Sequence, residues 1–184
     1  MVSELTTYLR LGLTHIADLQ GYDHIAFIVA LTAGFQLADW RRLLWLVTAF
    51  TVGHSLTLLL ATLDVVRVPS SVVEPLIAAT ILVAGVRGIT TQWRRTSTDH
   101  ADRSLEAPWV MAAGFGLIHG LGFSGFLRSL LGSEDSLAIP LLGFNLGLEV
   151  GQLAIVASVL ALGWVCTRSG LPRRWWALGL SALA

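Results

Sequence analysis

Residues 43–63 have the sequence LLWLVTAFTVGHSLTLLLATL, without an aspartate, glutamate, lysine or arginine. As an α-helix this stretch is about 32 Å long, enough to cross the roughly 30 Å hydrocarbon core of a bilayer. One imidazole, that of His54, lies past its middle. An ionisable group inside a membrane span is costly and is by default a candidate for function. The stretch therefore predicts both a spanning helix and a site.

Four further apolar stretches have the same character. Of the 184 residues only 13% are charged and 54% are hydrophobic, and the mean hydropathy is +0.71, far from the balance of a soluble domain. We therefore predict one all-α, polytopic membrane helical bundle over residues 1–184. Its five full spans are expected at about 21–38, 43–63, 72–92, 108–131 and 137–166, and a partial or truncated sixth span at 172–184.

The N-terminal segment, residues 1–20, is amphipathic. Leu5, Leu9 and Ile16 recur at helical spacing. The segment has neither the basic n-region nor the compact apolar core of a cleavable signal peptide. We predict an N-terminal interfacial helix, lying flat on the membrane.

The basic residues predict an orientation, because positive charges concentrate in cytoplasmic loops of membrane proteins. All twelve are arginines. Their distribution places the N-terminus in the periplasm and the loop between spans 3 and 4 in the cytoplasm, within a bacterial inner membrane. The cytoplasmic side takes Arg41, Arg42, Arg87, Arg94, Arg95, Arg103, Arg168, Arg173 and Arg174, and the other side takes Arg10, Arg67 and Arg128.

Several spans bring polar residues to a similar depth in this orientation. His54 lies about 17 Å into span 2, and His119 lies at a similar depth in span 4. Asp23 and His24 begin span 1. The other polar groups of the layer are Glu74 at the outer start of span 3 and Asn145, Glu149 and Gln152 on one face of span 5. The sequence predicts one polar site in the outer half of the bilayer.

Imidazole together with carboxylate oxygen suits zinc, nickel, cobalt or iron. His24, His54 and His119 with Asp23 or Glu149 would complete a four-coordinate site for a divalent transition metal ion. The alternative is that these groups hydrogen-bond to one another and hold the helices together, at about 0.6 kcal/mol per pair. Three histidines and several carboxylates at one depth favour metal binding. The second candidates as ligands are His15, Glu74, Asn145 and Gln152.

Two further residues limit the ligand set. Cys166 is the single cysteine, which excludes a disulfide within one chain and a thiolate metal cluster. His100 lies in the polar loop before Pro108, and we interpret it as a solvated residue.

Glycines are frequent in spans 4 and 5, where small residues permit close approach of helix backbones. We predict that these two spans pack tightly against each other. The glycines concerned are Gly114, Gly116, Gly120, Gly122 and Gly125 in span 4 and Gly143, Gly147 and Gly151 in span 5.

Four sequence blocks resemble the HupE/UreJ family of bacterial membrane proteins. They are the GYDH block at 21–24 preceded by His15, TAFTVGHSLTL at 48–58, HGLGF at 119–123 and FNLGLEVGQL at 144–153. The resemblance implies a six-span inner-membrane protein associated with hydrogenase and urease accessory systems, described as a nickel or cobalt permease. It also implies Asp23, His24, His54, His119 and Glu149 as the metal residues, with His15, Asn145 and Gln152 as second candidates.

Three functions are then open, and the resemblance makes divalent-metal uptake the leading one. The inner halves of spans 2, 4 and 5 have few acidic or imidazole groups to receive an ion, which weighs against transport. In the second function a retained zinc ion activates water for hydrolysis, similar to the membrane hydrolases related to alkaline ceramidases. Its catalytic candidates are Asp23 or Glu149 as base and Ser55 or Ser124 as the serine. The third function is that of a structural subunit.

The expected partners follow from the same reasoning. We expect the lipid bilayer and a divalent metal ion, nickel, cobalt or zinc, as partners, and no nucleic acid. Subunits of a membrane complex and further copies of the chain remain open as partners.

Overall fold

The computed structural model describes residues 2–19, 21–94, 108–131 and 137–183. Within these ranges every regular element is helical. Seven α-helices follow one another along the chain, and a short 3₁₀ turn, Leu37–Asp39, precedes the third. The helices are α1 (Val2–Ile16), α2 (Asp23–Thr32), α3 (Trp40–Thr62), α4 (Ser70–Arg94), α5 (Pro108–Leu131), α6 (Ala138–Arg168) and α7 (Arg173–Leu183).

Four of these helices, α3 to α6, are long and apolar enough to cross a membrane, and they confirm the all-helical prediction. The predicted count of five full spans is not confirmed. The expected span at 21–38 contains only α2, which has 10 residues and is about 15 Å long, too short to cross alone. The partial sixth span at 172–184 corresponds to α7, which has 11 residues.

The predicted interfacial placement of residues 1–20 is not confirmed, and α1 packs lengthwise along α6. Tyr8 and Ile16 are 5% and 0% exposed. A row of α6 glycines forms the groove for α1, and without side chains it lets the two backbones approach closely. The contacts advance together along both helices, so α1 and α6 run parallel: Gly143 meets Leu5 and Tyr8, Gly147 meets Leu9 and Leu13, and Gly151 meets Leu13 and Ile16.

α1 and α2 follow one another along α6. α1 lies against residues 143–151 of α6, and the residues just after α2 border a cavity that Val159, Gly163 and Thr167 of α6 also line. α1 ends at Ile16 and α2 begins at Asp23, and the sequence between them includes Asp18 and Gly21, both poor helix formers. Such an interruption at membrane depth is tolerated where it is buried in protein or lines a cavity, and in transporters it marks binding sites.

Gly116 and Gly120 of α5 face α3, and none of the α5 glycines that the structure describes approaches α6, so the predicted tight packing of spans 4 and 5 is wrong. A Cβ atom on Gly116 would lie 2.9 Å from the His54 nitrogen, and one on Gly120 would lie 3.0 Å from the His54 carbonyl carbon. Gly53 approaches Ala113 and Leu117 in the same way. α3 and α5 therefore run parallel, with backbones in close contact on both sides of His54.

α4 connects α3 to α5 and runs antiparallel to α5. Gly122 of α5 approaches Ile77, and His119, one turn earlier in α5, contacts Thr80, nearly one turn later in α4. This pairing brings the middle of α4 to the middle of α5.

Arginine and tryptophan side chains collect at one end of the bundle, which we call the arginine-rich end. It contains the start of α3, the ends of α4 and α6 and the start of α7, and a cavity of about 190 Å³ there is lined by Gln36, Gln92, Thr167 and Arg173. Arginine and tryptophan residues together at helix ends are typical of a membrane–water interface. The guanidinium groups lie over the rings in the pairs Arg41–Trp40, Arg168–Trp164 and Arg174–Trp93.

Candidate metal centre

Three imidazoles meet at the interruption between α1 and α2. His15, His24 and His54 each place one ring nitrogen within 4.8 Å of the other two. The ring centroids are 4.7 Å apart for His15 and His24, 6.3 Å for His15 and His54, and 6.1 Å for His24 and His54. We call these three residues the histidine cluster. Its dimensions allow a single ion to contact all three rings after small side-chain movements.

The local sequence explains how the three rings converge. His15 is the penultimate residue of α1 and His24 is the second residue of α2. Both therefore lie at the interruption between these two helices. His54 reaches this interruption from α3, whose position is fixed by the glycine contacts with α5. The cluster thus combines two half-helices and one continuous helix.

A fourth imidazole, that of His119 on α5, lies next to the cluster. Its ring centroid is 5.1 Å from that of His24, and its Nε2 atom is 2.9 Å from Thr80 Oγ1. His24 therefore lies between His54 and His119. The sequence prediction joined His24, His54 and His119; in the structure His15 completes the tightest group instead, and His119 is adjacent to it.

The imidazoles are deeply buried, with exposed fractions of 7% for His24, 0% for His54 and 1% for His119. Buried polar atoms are normally hydrogen-bonded, and leaving one unpaired costs about 1–3 kcal/mol. Here the buried ring nitrogens without a partner among the described residues are His15 Nε2, His24 Nε2, both nitrogens of His54 and His119 Nδ1. A cation bound at their lone pairs would satisfy the acceptor nitrogens, which is the observation that fits this site to a metal.

Phenylalanine rings enclose the imidazoles. Phe144 stacks on His54 with centroids 6.2 Å apart, and Phe123 lies 3.9 Å from His15. On the α2 side, Phe27 and Phe50 each lie 5.2 Å from His119. These walls exclude competing hydrogen-bond partners and form an apolar shell that favours neutral imidazoles.

The polar face of α6 lies along α3, toward the arginine-rich end from the cluster. Thr51 Oγ1 donates to Gln152 Oε1 at 2.8 Å, and Thr48 Oγ1 donates to Glu149 Oε1 at 2.7 Å. These threonines precede His54 by one and two turns, about 4.5 Å and 9 Å along α3. We call the two pairs the polar ladder. The structure therefore places Glu149 and Gln152 below the cluster and not among its ligand atoms.

The two other predicted carboxylate ligands also lie outside the histidine cluster. Asp23 is half-buried in the first turn of α2, and Glu74 is exposed near the start of α4; neither belongs to the group of atoms within 4.8 Å. Asn145 donates from Nδ2 to the Leu141 carbonyl, and its Oδ1 is buried without a partner. His100 lies outside the described residues.

The two predicted catalytic serines are committed to their own helices. Ser55 Oγ donates to the Thr51 carbonyl at 2.6 Å and Ser124 Oγ donates to the Leu121 carbonyl at 2.7 Å. This back-bonding is the common use of serine in membrane helices. In the described contacts each hydroxyl is therefore bonded within its own helix rather than directed at the imidazoles.

Thr80 is the site residue that the sequence reasoning missed. A single threonine in an apolar stretch carries no signal of its own, because its contact with His119 depends on how α4 pairs with α5. The position of His15, in contrast, could have been inferred from the sequence. Asp18 and Gly21, which follow it closely, are poor helix formers in an otherwise apolar region and indicate that a helix ends near His15.

Comparison with protein families gives one match that covers the whole chain. The family model described as HupE / UreJ protein matches residues 1–184. The chain belongs to the HupE/UreJ family. Together with the four long apolar helices, membership of this family identifies it as a membrane protein. Searches of curated proteins and of solved structures gave no match.

Proposed function

We propose that this HupE/UreJ family member is a permease for a divalent transition metal, nickel or cobalt, and that the histidine cluster binds the ion during passage. The observation that carries the proposal is the convergence of three imidazoles, two of them buried and one half-buried, whose buried ring nitrogens are unpaired, at the interruption between α1 and α2. Family membership supports nickel or cobalt as the ion, since the family is associated with handling these metals.

The donor set selects a class of ion. Imidazole nitrogens suit zinc, copper, nickel, cobalt and iron, whereas magnesium and calcium require oxygen ligands. Three imidazoles leave at least one coordination position open, and a transported ion needs such a position in order to enter and leave. Nitrogen ligation within phenylalanine walls therefore supports a site for borderline transition metals.

The interrupted crossing supports transport over permanent retention. His15 and His24 are attached to separate half-helices, so a small movement of α1 relative to α2 changes the distance between two ligands. Discontinuous helices at the middle of the bilayer form the ion sites of many transporters for this reason. A purely structural zinc site would gain nothing from ligands on two movable segments.

The polar ladder offers binding positions for an ion between the histidine cluster and the arginine-rich end, where the sequence analysis found few groups to receive one. From His54 it descends through Thr51 and Gln152 to Thr48 and the carboxylate of Glu149. If arginine-rich loops face the cytoplasm, the ladder leads from the cluster toward the cytoplasm. An ion released from nitrogen ligands would then meet oxygen donors on the way inward.

The two other functions have less support. Zinc-dependent hydrolysis needs a free hydroxyl or a carboxylate base beside the ion, and the candidate serines donate to backbone carbonyls instead. A purely structural role for the polar layer predicts hydrogen bonds among the imidazoles, whereas His24 Nε2 and both ring nitrogens of His54 have no partner among the described residues.

Uptake by purified protein in proteoliposomes tests the proposal. The wild-type protein should bind about one equivalent of Ni²⁺ or Co²⁺ and carry the ion into vesicles, and the His54→Ala variant should lose both activities because it removes the most deeply buried imidazole of the cluster. Ser158→Ala is the matched control, since its hydroxyl is exposed on α6 and bonded only within that helix. Binding without any uptake by the wild type would refute the permease, and full binding by His54→Ala would refute the site.

A further inference from the structure

Thr80 lies between a backbone carbonyl and the ring of His119. Its Oγ1 atom is 2.7 Å from the Ile77 carbonyl oxygen and 2.9 Å from His119 Nε2. Both side chains are buried, with 3% of Thr80 and 1% of His119 exposed. The described contacts therefore allow one protein partner for His119 Nε2 and none for Nδ1.

The hydroxyl has a single proton, and the two short contacts determine where it goes. If Thr80 donates to the Ile77 carbonyl, its lone pairs accept a proton from His119 Nε2, and both contacts are hydrogen bonds. If Thr80 instead donates to Nε2, two oxygens face each other at 2.7 Å without a proton between them, and the N–H at Nδ1 is buried without an acceptor. The first arrangement satisfies more groups.

We propose that Thr80 is a positioning residue that holds His119 in the tautomer with its proton on Nε2. This tautomer leaves the lone pair on Nδ1, the buried nitrogen without a partner, in a ring that lies 5.1 Å from His24. Thr80 thereby prepares His119 as a fourth nitrogen donor for a divalent transition metal beside the histidine cluster. The metal part of this inference rests on the proposed function, whereas the tautomer does not.

The logic is that of the outer shell found at many metal sites. A ligating histidine usually donates its second ring N–H to a neighbouring oxygen, which fixes the tautomer and the ring orientation. Loss of such a partner typically weakens metal affinity by 10–100-fold. Here the oxygen belongs to a hydroxyl that a backbone carbonyl has already oriented, so the preference is built in before any ion arrives.

The tautomer is measured in the metal-free, full-length protein. Histidine labelled with ¹⁵N shows by NMR which ring nitrogen is protonated, and the His119→Gln variant assigns the signals. We expect protonation at Nε2 in the wild type and in Thr80→Ser, which retains the hydroxyl. We expect loss of this single tautomer in Thr80→Val, which keeps the shape of threonine and removes the oxygen. Protonation at Nδ1 in the wild type, or an unchanged tautomer in Thr80→Val, would overturn the inference.

Affinity for Ni²⁺ alone provides the second measurement. Thr80→Val should bind Ni²⁺ about 10–100-fold more weakly than the wild type, and Thr80→Ser should bind it normally. Equal affinity in all three proteins would remove His119 from the ligand set and overturn the inference. If not even the wild type binds the ion, the proposed function fails, and the NMR result on metal-free protein still decides whether Thr80 controls His119.

Discussion

The packing of α1 on α6 should control metal affinity at a distance, and Gly147→Ala tests this. The new Cβ atom would overlap the Leu9 carbonyl group, lying 2.8 Å from its carbon and 3.0 Å from the Leu13 nitrogen, whereas ordinary contact begins at 3.4 Å. These are backbone atoms, so no change of rotamer relieves the overlap. α1 must therefore move away from α6 by at least about 0.6 Å.

This displacement reaches the site because His15 follows Leu13 by only two residues in the same helix. Ligand geometry has to be held to within about 0.5 Å for full function, so the movement exceeds the tolerance of the cluster. Overpacking of this kind costs about 1–3 kcal/mol of folding free energy. The part of this strain that must be overcome to restore the ligand geometry lowers the affinity, and 1.4 kcal/mol of it corresponds to a tenfold loss. We expect Gly147→Ala to weaken Ni²⁺ binding by roughly 10-fold or more.

Titration calorimetry of Ni²⁺ binding in nanodiscs measures this effect, with thermal unfolding recorded for each variant. Gly114→Ala is the control, because a Cβ atom there meets no neighbour within 4 Å. Gly143→Ala is a milder variant that places its Cβ 2.9 Å from the Leu5 carbonyl oxygen, far from His15, and should cause a smaller loss. Wild-type affinity in a folded Gly147→Ala protein would refute the reasoning; if that variant does not fold, wild-type affinity in Gly143→Ala would do so.

Two further predictions concern the ladder and the aromatic wall. Glu149→Gln should retain Ni²⁺ binding at the cluster but lose most vesicle uptake, because it removes the charge of the ladder at the step after Gln152; unchanged uptake would exclude the ladder as the route. Phe144→Ala should destabilise the protein by about 3–5 kcal/mol, since Phe144 is fully buried against His54, whereas Leu146→Ala on the lipid-facing side, 42% exposed, should cost much less in thermal unfolding.

The long apolar helices could be predicted from sequence because hydrophobicity and length are local properties. The stretch at 43–63 became α3 (Trp40–Thr62), and the stretch at 108–131 became α5 (Pro108–Leu131). The prediction of a full span at 21–38 was not confirmed, because the composition of this stretch does not show that its helix ends at Thr32. Apolar residues after that point line a cavity at the arginine-rich end.

The partners of the glycine faces could not be predicted, because a glycine stripe shows that a helix will be approached closely but not by which helix. Gly116 and Gly120 receive α3, and Gly143 and Gly147 receive α1. The amphipathic character of residues 1–20 has the same ambiguity, since an apolar stripe fits either a lipid surface or a groove in a protein. Here the apolar stripe of α1 packs in the glycine groove on α6. Because α6 is distant from α1 in the sequence, local patterns could not predict this contact.

The position of the site follows from this one packing choice. With α1 flat on the membrane, Asp23 and His24 would begin a crossing at the outer surface. With α1 packed lengthwise along α6, the length of α1 places His24 about 22 Å further along the bundle, at the level of His54 and His119, which lie near the middle of α3 and α5. His15 then comes from the end of α1 to the same level. The packing of α1 in the glycine groove of α6 therefore brings His15 and His24 close to His54 and His119. The interruption between α1 and α2 places His15 and His24 next to each other.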